Sequence, residues 1–495
     1  MVFLFLGDEK LAKTSKKTIF VSLNKKLTLI NMNTVQQKGH PKGLYLLFFT
    51  EMWERFSYYG MRAILILYLT KKLVEGGLGM DEQNATLLYG YFTGLVYFTP
   101  LIGGWLADKF LGKRLAITIG GITMMIGQFV LFGMNNMTGL YIGLLLLIIG
   151  NGFFKPNIST LVGGLYADGD DRRDSAFSIF YMGINLGALI APFIVGYFTD
   201  NLFATTNADG TVAFGYRYGF LAAGVGMLLG QLVFNVLAQK YLGDLGKKPI
   251  GAISNNENTE EHLQSINPET GEALTKPQEK QRISVIFILF LFAVFFWAGF
   301  EQAGSSLSLY TDKFINRTVF GFEIPTSWFQ SVNPIFIVTL APLFAMFWSS
   351  KLGKKLSTPV KMGVGMIILG IGFWFMLGAV AERNSNGDIA DIANKAGMMW
   401  LIMTYLLHTI GELCLSPVGL SVVTKLSPPK LASILMAVWM LSSSVANFIG
   451  GFVASIVETL GAGEVFTYIS GFVIVCGLLL LLLSKYISRM MHGVK

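Results

Sequence analysis

The sequence has few charged residues for its length. Asp, Glu, Lys and Arg make up only 14% of its 495 residues, whereas soluble globular domains have about 25%. Because 53% of the residues are hydrophobic, lipid must be the solvent for most of the chain. A net charge of +8 could suggest nucleic acid as a partner. The basic residues instead flank apolar segments, as they do in membrane proteins, which argues against that partner.

Cysteine and histidine are also scarce. Cys414 and Cys476 both lie in apolar stretches, which predicts buried thiols and excludes a disulfide framework. The four histidines are far apart in the sequence, and we find no metal-ligand spacing, nucleophile–base pair or phosphate-binding loop. We therefore expect no metal, no cofactor and no enzyme active site.

Twelve apolar stretches are each long enough to cross a bilayer, which takes about 20 residues of helix. Stretches of this length exclude barrel strands, in which polar and apolar residues alternate. The fold class predicted is therefore an all-α membrane protein. The predicted spans are 44–70, 84–107, 115–134, 140–165, 173–199, 216–241, 283–312, 326–350, 360–381, 396–424, 431–457 and 463–488.

The polar segment 242–282, which has no aromatic residue, separates six spans from six and is typical of a flexible linker. The predicted parts are an N-terminal segment 1–43, a six-helix bundle 44–241, this linker, a second bundle 283–488 and a tail 489–495. Residues 1–31 are basic, and we interpret them as a disordered tail or as an extension before a true start at Met32.

The distribution of lysine and arginine predicts the orientation. One set of connecting loops contains seventeen of these residues and the opposite set seven. Since cytoplasmic loops have the excess, both termini are expected in the cytoplasm, with the protein in the inner membrane. Two six-helix halves joined by a cytoplasmic linker is the layout of the major facilitator fold, which binds substrate between its halves.

The loop after the second span supports this fold. It resembles the Gly-Asp-Gly-basic motif that latches the cytoplasmic side of the major facilitator superfamily. The residues that match are Gly104, Asp108, Gly112, Lys113 and Arg114.

Ionisable residues lie inside four predicted spans, although a charge at the centre of a lone helix costs about 2.5–3.5 kcal/mol. An ion pair that only stabilises the fold could account for one pair of these charges. The whole set contains more charges than that role requires. We therefore interpret them as functional. They are Glu51, Glu54, Arg55 and Arg62 in span 1, Lys155 in span 4, Glu301 in span 7 and Glu412 in span 10. His408, also in span 10, is an exception.

Helical spacing places Glu51, Arg55, Tyr58, Tyr59 and Arg62 on one face of the first helix. A face of charges and phenols should line a cavity, although ordinary packing remains an alternative for the tyrosines. Arginine stays charged and suits carboxylates, whereas glutamate can change protonation when a nearby cation moves away. These properties suit the coupling of a proton to a carboxylate-bearing substrate.

One histidine lies close to these charges. His408 precedes Glu412 by one helical turn. We expect it to hydrogen-bond a neighbouring group rather than to relay protons.

With these motifs identified, the chain from about residue 39 onward resembles the proton-dependent oligopeptide transporter family, also called POT. Residues 51–60 match ExxERFxYYG at every fixed position. Residues 180–187 match FYxxINxG, and residues 411–419 match the pattern of the tenth helix. The resemblance implies a symporter that imports di- and tripeptides, with the proton as coupling ion.

The resemblance also implies roles for individual residues. Glu51, Glu54, Arg55 and Glu301 would couple the proton, with Arg55 near Glu301. Lys155 would pair with Glu412 across the halves and help to close the cytoplasmic gate. Arg55 and Lys155 would meet the carboxylate of the peptide, and Glu412 its amine. Further substrate contacts would come from Glu301, Asn185, Asn333, Tyr58, Tyr59, Arg62, Tyr97, Trp297 and Trp439.

Other functions remain open at this stage. A member of the same family could carry nitrate or an amino-acid-like compound, and a drug carrier of the superfamily would share the fold. Glu412, which suits an amine, argues against a simple anion. Segment 242–282 is too short and too hydrophilic to form the two additional helices found in many bacterial relatives. We expect the protein to function as a monomer.

Overall fold

The computed structural model describes residues 39–167, 170–249, 265–268, 270–386 and 394–494. The expectations for the N-terminal tail and for the middle of the linker lie outside these residues.

Twelve long helices form the described chain. Eleven of them are long and apolar enough to cross a membrane. The first helix, α1, differs because it has four charged residues in its interior, Glu51, Glu54, Arg55 and Arg62. The helices are α1 (Lys42–Thr70), α2 (Glu82–Leu111), α3 (Lys113–Gly133), α4 (Met137–Gly164), α5 (Arg172–Leu202), α6 (Tyr216–Leu242), α7 (Lys276–Phe314), α8 (Thr326–Ser349), α9 (Thr358–Ser385), α10 (Met398–Leu426), α11 (Ile434–Leu460) and α12 (Ala462–Met490).

Two helices are interrupted near their middles. In α2 the α-helix ends at Phe98 and resumes at Pro100, whose ring cannot donate the backbone hydrogen bond that a continuous helix needs. In α7 the α-helix ends at Phe300, a single 3-10 segment covers Glu301–Gly304, and helix resumes at Ser306. The interruption in α7 places Glu301 at a helix end rather than within a regular helix.

The linker is shorter than predicted. α7 begins at Lys276 rather than at 283, because Thr275 and Gln278 form a capping box at its start. The first turns of α7 are therefore helical although they are polar, so hydropathy alone does not identify them as part of the helix.

In the part of the chain that the structure describes, six two-residue strands pair in the loops on the side where α1 ends. β1 (Thr205–Thr206) pairs antiparallel with β2 (Val212–Ala213), and β4 (Thr318–Val319) pairs antiparallel with β5 (Phe322–Glu323). β3 (Ile315–Asn316) pairs in parallel with β6 (Ala396–Gly397) and so joins the end of α7 to the start of α10.

The helices form two six-helix bundles with separate cores. One buried apolar cluster comes almost entirely from α1–α6, and the other comes from α7–α12, the β3–β6 pair and the tail. Helix α1 packs on α5 and α6, and α9 packs on α10 and α12. Between the bundles, α2 packs along α11. This architecture agrees with the predicted all-α fold of two halves.

Helices α2 and α11 approach so closely that their contact requires glycine. A Cβ atom on Gly90 would lie 2.6 Å from the Cα of Gly451 and 2.9 Å from the Asn447 carbonyl oxygen. Both neighbours are backbone atoms, which cannot rotate away.

We therefore expect Gly90→Val to destabilise the protein. Forcing extra atoms into a packed contact costs about 1–3 kcal/mol, so the thermal unfolding midpoint of the purified protein should fall. Gly133→Val is the matched control, because a Cβ at Gly133 meets no atom within 4 Å. Equal unfolding midpoints for the two variants would contradict this account of the α2–α11 contact.

Candidate functional site

A cavity of about 240 Å³ lies between the two bundles. Its walls come from α1, α2 and α5 of the first half and from α7, α8, α10 and α11 of the second half. Eight of the predicted site residues line it: Tyr59, Arg62, Tyr97, Asn185, Trp297, Glu301, Asn333 and Glu412. The cavity is therefore built from both halves, as the sequence predicts for a site near mid-membrane.

Arg62 and Glu301 form the charged link between the halves. The Arg62 Nη2 atom pairs with Glu301 Oε2, and Arg62 Nε donates a hydrogen bond to the Tyr89 hydroxyl at 2.7 Å. Tyr89 on α2 is almost fully buried. The arginine is thus held from two sides, and one of its partners is a carboxylate of the opposite half.

Glu301 pairs with Arg62 in this structure, and the predicted proximity of Arg55 to Glu301 stays a prediction. Arg55 is instead bound within its own helix. Its Nε lies 3.1 Å from Glu51 Oε1 and also pairs with Glu54. Since Glu51 lies four residues before Arg55, helical geometry places the two side chains together.

The Arg55 group is closed off from the cavity. Glu51, Glu54 and Arg55 are each at most 3% exposed. The Asn151 amide on α4 donates to Glu54 Oε1 at 3.3 Å. Two carboxylates therefore share one guanidinium in a buried place, and the Lys155 ammonium is near enough to interact with both of them. Their role in proton coupling remains a prediction.

Lys155 and Glu412 are not paired in this conformation. No ion pair joins them within the described residues. The Lys155 Nζ atom lies 4.0 Å from the centre of the Tyr97 ring, a cation–π contact. Glu412 Oε2 accepts a hydrogen bond of 3.0 Å from the Asn333 amide of α8, and that amide also contacts Thr409 Oγ1. The gating role of the pair therefore remains a prediction for another conformation.

Two predicted pocket residues do not line the cavity. Tyr58 is 5% exposed and packs beside Arg55, whose Cζ lies 5.6 Å from its ring. Trp439 is 6% exposed and packs against Gly419 of α10. Helical spacing places Tyr58 on the charged face of α1, but that face is partly covered by the neighbouring helices. Arg55 and Lys155 also lie outside the lining, so their contact with a peptide carboxylate remains a prediction.

Several lining residues were missed by sequence reasoning. These include Tyr181 on α5, Gln330 on α8 and Tyr405 on α10. His408 of α10, an ionisable residue that the sequence did indicate, also lines the cavity. Tyr181 lies within the matched FYxxINxG motif, which could have indicated it. Gln330 and Tyr405 lie in none of the matched motifs, so the sequence gave no comparable signal for them.

His408 does not behave as expected. Among the described residues, neither ring nitrogen forms a well-aligned hydrogen bond, although the backbone of Leu369 lies beside the ring. The ring packs instead on Phe373, with centroids 4.7 Å apart. Among the described residues, no side chain is therefore the hydrogen-bond partner that we expected for His408.

The halves are tied together on the side where α1 ends. The Lys71–Asp312 pair spans 2.7 Å, and Lys313 pairs with Glu82. Two further bonds join α5 to the start of α8: Trp328 Nε1 donates to the Phe193 carbonyl at 3.1 Å, and Ser331 Oγ donates to the Leu189 carbonyl at 2.8 Å.

The cavity is more open toward the side of the termini, where Tyr181 lies on α5. Tyr181, which lines the cavity, is 49% exposed. The cavity is therefore closed on one side and accessible from the side of the termini.

The predicted loop motif between α2 and α3 contacts the end of α6. Arg114 Nη1 donates to the Gly243 carbonyl oxygen at 2.7 Å, where the helix has unpaired carbonyl groups. Gly112 has φ +77°, a conformation that favours glycine. The Lys113 and Asp108 side chains lie 4.0 Å apart, and Gly104 packs against Pro156 of α4. The motif thus connects α2 and α3 to α4 and to the end of α6 on the side of the termini.

Comparisons with known proteins agree with this architecture. Residues 114–248 and 252–466 match the family model described as "PTR2: POT family". An uncharacterized transporter, YclF of Bacillus subtilis (strain 168), is 40% identical over 94% of this chain and 98% of its own length. A di-/tripeptide transporter of Lactococcus lactis subsp. cremoris is 33% identical over 94% of this chain and 100% of its own length.

A solved structure is similar over nearly the whole chain. It is a mutant of a peptide transporter, POT, in complex with alafosfalin. The similarity has a TM-score of 0.79 and 35% sequence identity, and it covers 92% of this chain and 97% of the other. The two-half fold of this chain is therefore that of a solved transporter.

Proposed function

The chain belongs to the POT family, and from that premise we propose that it is a proton-coupled symporter that imports di- and tripeptides by alternating access. The observation that supports this most strongly is the charge arrangement of the cavity. Arg62 and Glu301 occupy one part of its wall, and Glu412 occupies another. A zwitterionic peptide has a carboxylate for a guanidinium and an ammonium for a carboxylate.

The Arg62–Glu301 pair supplies the coupling step in this proposal. When Glu301 takes a proton from the outer side, its carboxyl group no longer holds Arg62 by charge. Arg62 is then free to bind the peptide carboxylate. Because the pair joins the two halves, its release also removes one connection between them. Glu51 and Glu54, which share Arg55, are the second place where a proton could be held.

The driving force follows from the charge that moves. A zwitterionic peptide that enters with one proton transfers one net positive charge. The membrane potential then contributes about 2.3 kcal/mol per 100 mV. A pH difference of one unit adds about 1.36 kcal/mol. Both terms favour import when the outside is acidic and positive.

The orientation proposed from the basic loops places both termini in the cytoplasm, with the chain in the inner membrane. The cavity then opens to the cytoplasm in this structure, and the Lys71–Asp312 side is closed to the outside. The proposed partners are the peptide and the surrounding lipid, without nucleic acid or cofactor, and the proposed functional unit is a monomer.

Cysteine labelling in intact cells tests this orientation. Ala208, in the β1–β2 loop, and Glu272, before α7, are both exposed. Cys414 and Cys476 are buried and should not react. We expect Ala208→Cys to react with a membrane-impermeant maleimide in intact cells and Glu272→Cys to react only after permeabilisation. The reverse pattern would contradict the orientation.

The alternatives predict different substrates. An anion carrier such as a nitrate transporter would not be expected to place two carboxylates, Glu301 and Glu412, in the cavity wall. A drug carrier of the superfamily would not need Arg62 for a carboxylate. An enzyme is not supported either, because the family and the relatives are transporters.

Counterflow in proteoliposomes tests the substrate class. Vesicles loaded with unlabelled dialanine should take up labelled dialanine, and external trialanine should compete while alanine and nitrate should not. Competition by nitrate but not by trialanine would favour the anion carrier. Recovery of free alanine instead of intact dialanine would indicate hydrolysis and contradict the transporter assignment.

A further inference from the structure

A second concave site lies outside the transport cavity, on the lipid-facing surface of the second half. It is a groove of about 420 Å³ between α8, α9 and α10. Leu343 and Phe347 of α8 form one wall, Val364 and Ile368 of α9 another, and Cys414 of α10 lies at its base. Among the described residues that line it, Lys361 is the only charged one.

Helix α8 is unusually poorly covered by protein. Only 17% of the residues in its apolar segment are buried, against 44–60% in the ten other apolar spans. Leu343 is 55% exposed and Phe347 is 40% exposed. In a membrane, apolar side chains of this kind are covered by acyl chains, so the groove offers a place where one chain is held on three sides.

One end of the groove is basic. Lys361 lies one turn inside α9, and its Nζ atom is 5.0 Å from the centre of the Trp348 ring. A second positive charge, that of Lys425 at the end of α10, acts on Lys361. The connection between α8 and α9 adds Lys351, Lys354 and Lys355, all of them exposed.

No acidic residue balances this cluster locally. The sequence has no Asp or Glu from residue 345 to residue 365, nor from residue 413 to residue 457. Among the described residues, no carboxylate lies within ion-pair distance of Lys361. An anionic group at this end of the groove would therefore meet several cations and no repelling charge.

We propose that this groove binds an anionic phospholipid of the cytoplasmic leaflet, with its phosphate at Lys361 and one acyl chain along the groove. The distance along α9 from Lys361 to Ile368 is about 10 Å at 1.5 Å per residue, which matches a chain that runs inward from the headgroup. Trp348 beside Lys361 is typical of the membrane interface. The proposal takes only the orientation from the proposed function and is otherwise independent of the transported solute.

Native mass spectrometry of the purified protein tests this binding. We expect the wild type to retain phosphatidylglycerol at a lipid concentration about five-fold lower than the concentration it needs to retain phosphatidylcholine with the same acyl chains. This factor corresponds to the attraction between one lysine and a phosphate. Lys361→Gln should remove this preference. Lys109→Gln is the matched control, because Lys109 lies 5.1 Å from the Trp105 ring in the same way but outside the groove.

A second pair of variants tests the apolar part. Leu343→Trp and Val364→Trp place a large ring in the groove from exposed positions, and each should weaken retention of both lipids. Equal retention of the two lipids by the wild type would overturn the proposal. So would an equal loss of preference in Lys109→Gln, or unchanged retention in both tryptophan variants. A dimer that the tryptophan variants dissociate would assign this face to a second copy and overturn it as well.

Discussion

Replacing Glu301 by glutamine is expected to abolish the accumulation of dialanine that a pH gradient drives. Glutamine keeps the shape of the side chain but cannot take up or release a proton. The Arg62 guanidinium would then lose its charged partner permanently, so binding of the peptide carboxylate would no longer depend on pH. In proteoliposomes with a one-unit gradient, the wild type should reach about tenfold accumulation, since one pH unit corresponds to 1.36 kcal/mol. The variant should only equilibrate.

Exchange separates a loss of coupling from a loss of folding. Glu301→Gln should still exchange labelled for unlabelled dialanine, because exchange needs no net proton movement. Glu464→Gln is a suitable control, since Glu464 lies at the start of α12 and does not line the cavity. Full accumulation by Glu301→Gln would refute the coupling role. Loss of exchange as well would indicate that the variant is damaged beyond coupling, and Glu54→Gln would then provide an independent test.

The second large effect is expected at Glu412, which we propose binds the amine of the peptide. Its carboxylate lines the cavity and is oriented by the Asn333 amide at 3.0 Å. A hydrogen bond to a charged group contributes about 1.5–3 kcal/mol, which corresponds to roughly 10- to 150-fold in affinity. Glu412→Gln should therefore weaken competition by dialanine by about this factor in counterflow experiments.

N-acetyl-dialanine makes this prediction specific to the amine. The wild type should bind dialanine much more tightly than the acetylated peptide, which has no ammonium group. In Glu412→Gln the two peptides should compete almost equally. If the variant keeps the wild-type preference for a free amine, Glu412 is not the group that recognises it.

The sequence predicts the number of spans well but their interruptions poorly. Apolar length alone identifies twelve spans, and the described residues form twelve long helices. The break of α7 at Glu301–Gly304 lies inside the predicted span 283–312, so hydropathy does not reveal it. There Gly304 lies against Tyr89 and Arg62, too closely for a larger residue.

This break decides which arginine meets Glu301. Arg55 and Arg62 lie on the same face of α1 and are two turns apart, so spacing alone cannot distinguish them as partners. Arg55 is already held by Glu51 of its own helix, a local pair that spacing does predict. Arg62 has no such neighbour, and its pairing with Glu301 depends on where α7 ends its regular helix.

Burial on the charged face of α1 is the other feature that sequence did not reveal. Tyr58 and Tyr59 are adjacent in one motif, yet Tyr59 lines the cavity and Tyr58 is buried beside Arg55. Which of two neighbouring phenols faces the cavity depends on how α1 is rotated against its neighbours. Periodicity within one helix does not contain that information.

The most direct test of the central claim is the accumulation of labelled dialanine by wild-type proteoliposomes with an acidic exterior. The account predicts that internal dialanine rises above its external concentration, that a protonophore abolishes the rise, and that an inside-negative potential increases it. Uptake that only equilibrates, and that neither the pH gradient nor the potential changes, would contradict the assignment of this chain as a proton-coupled peptide symporter.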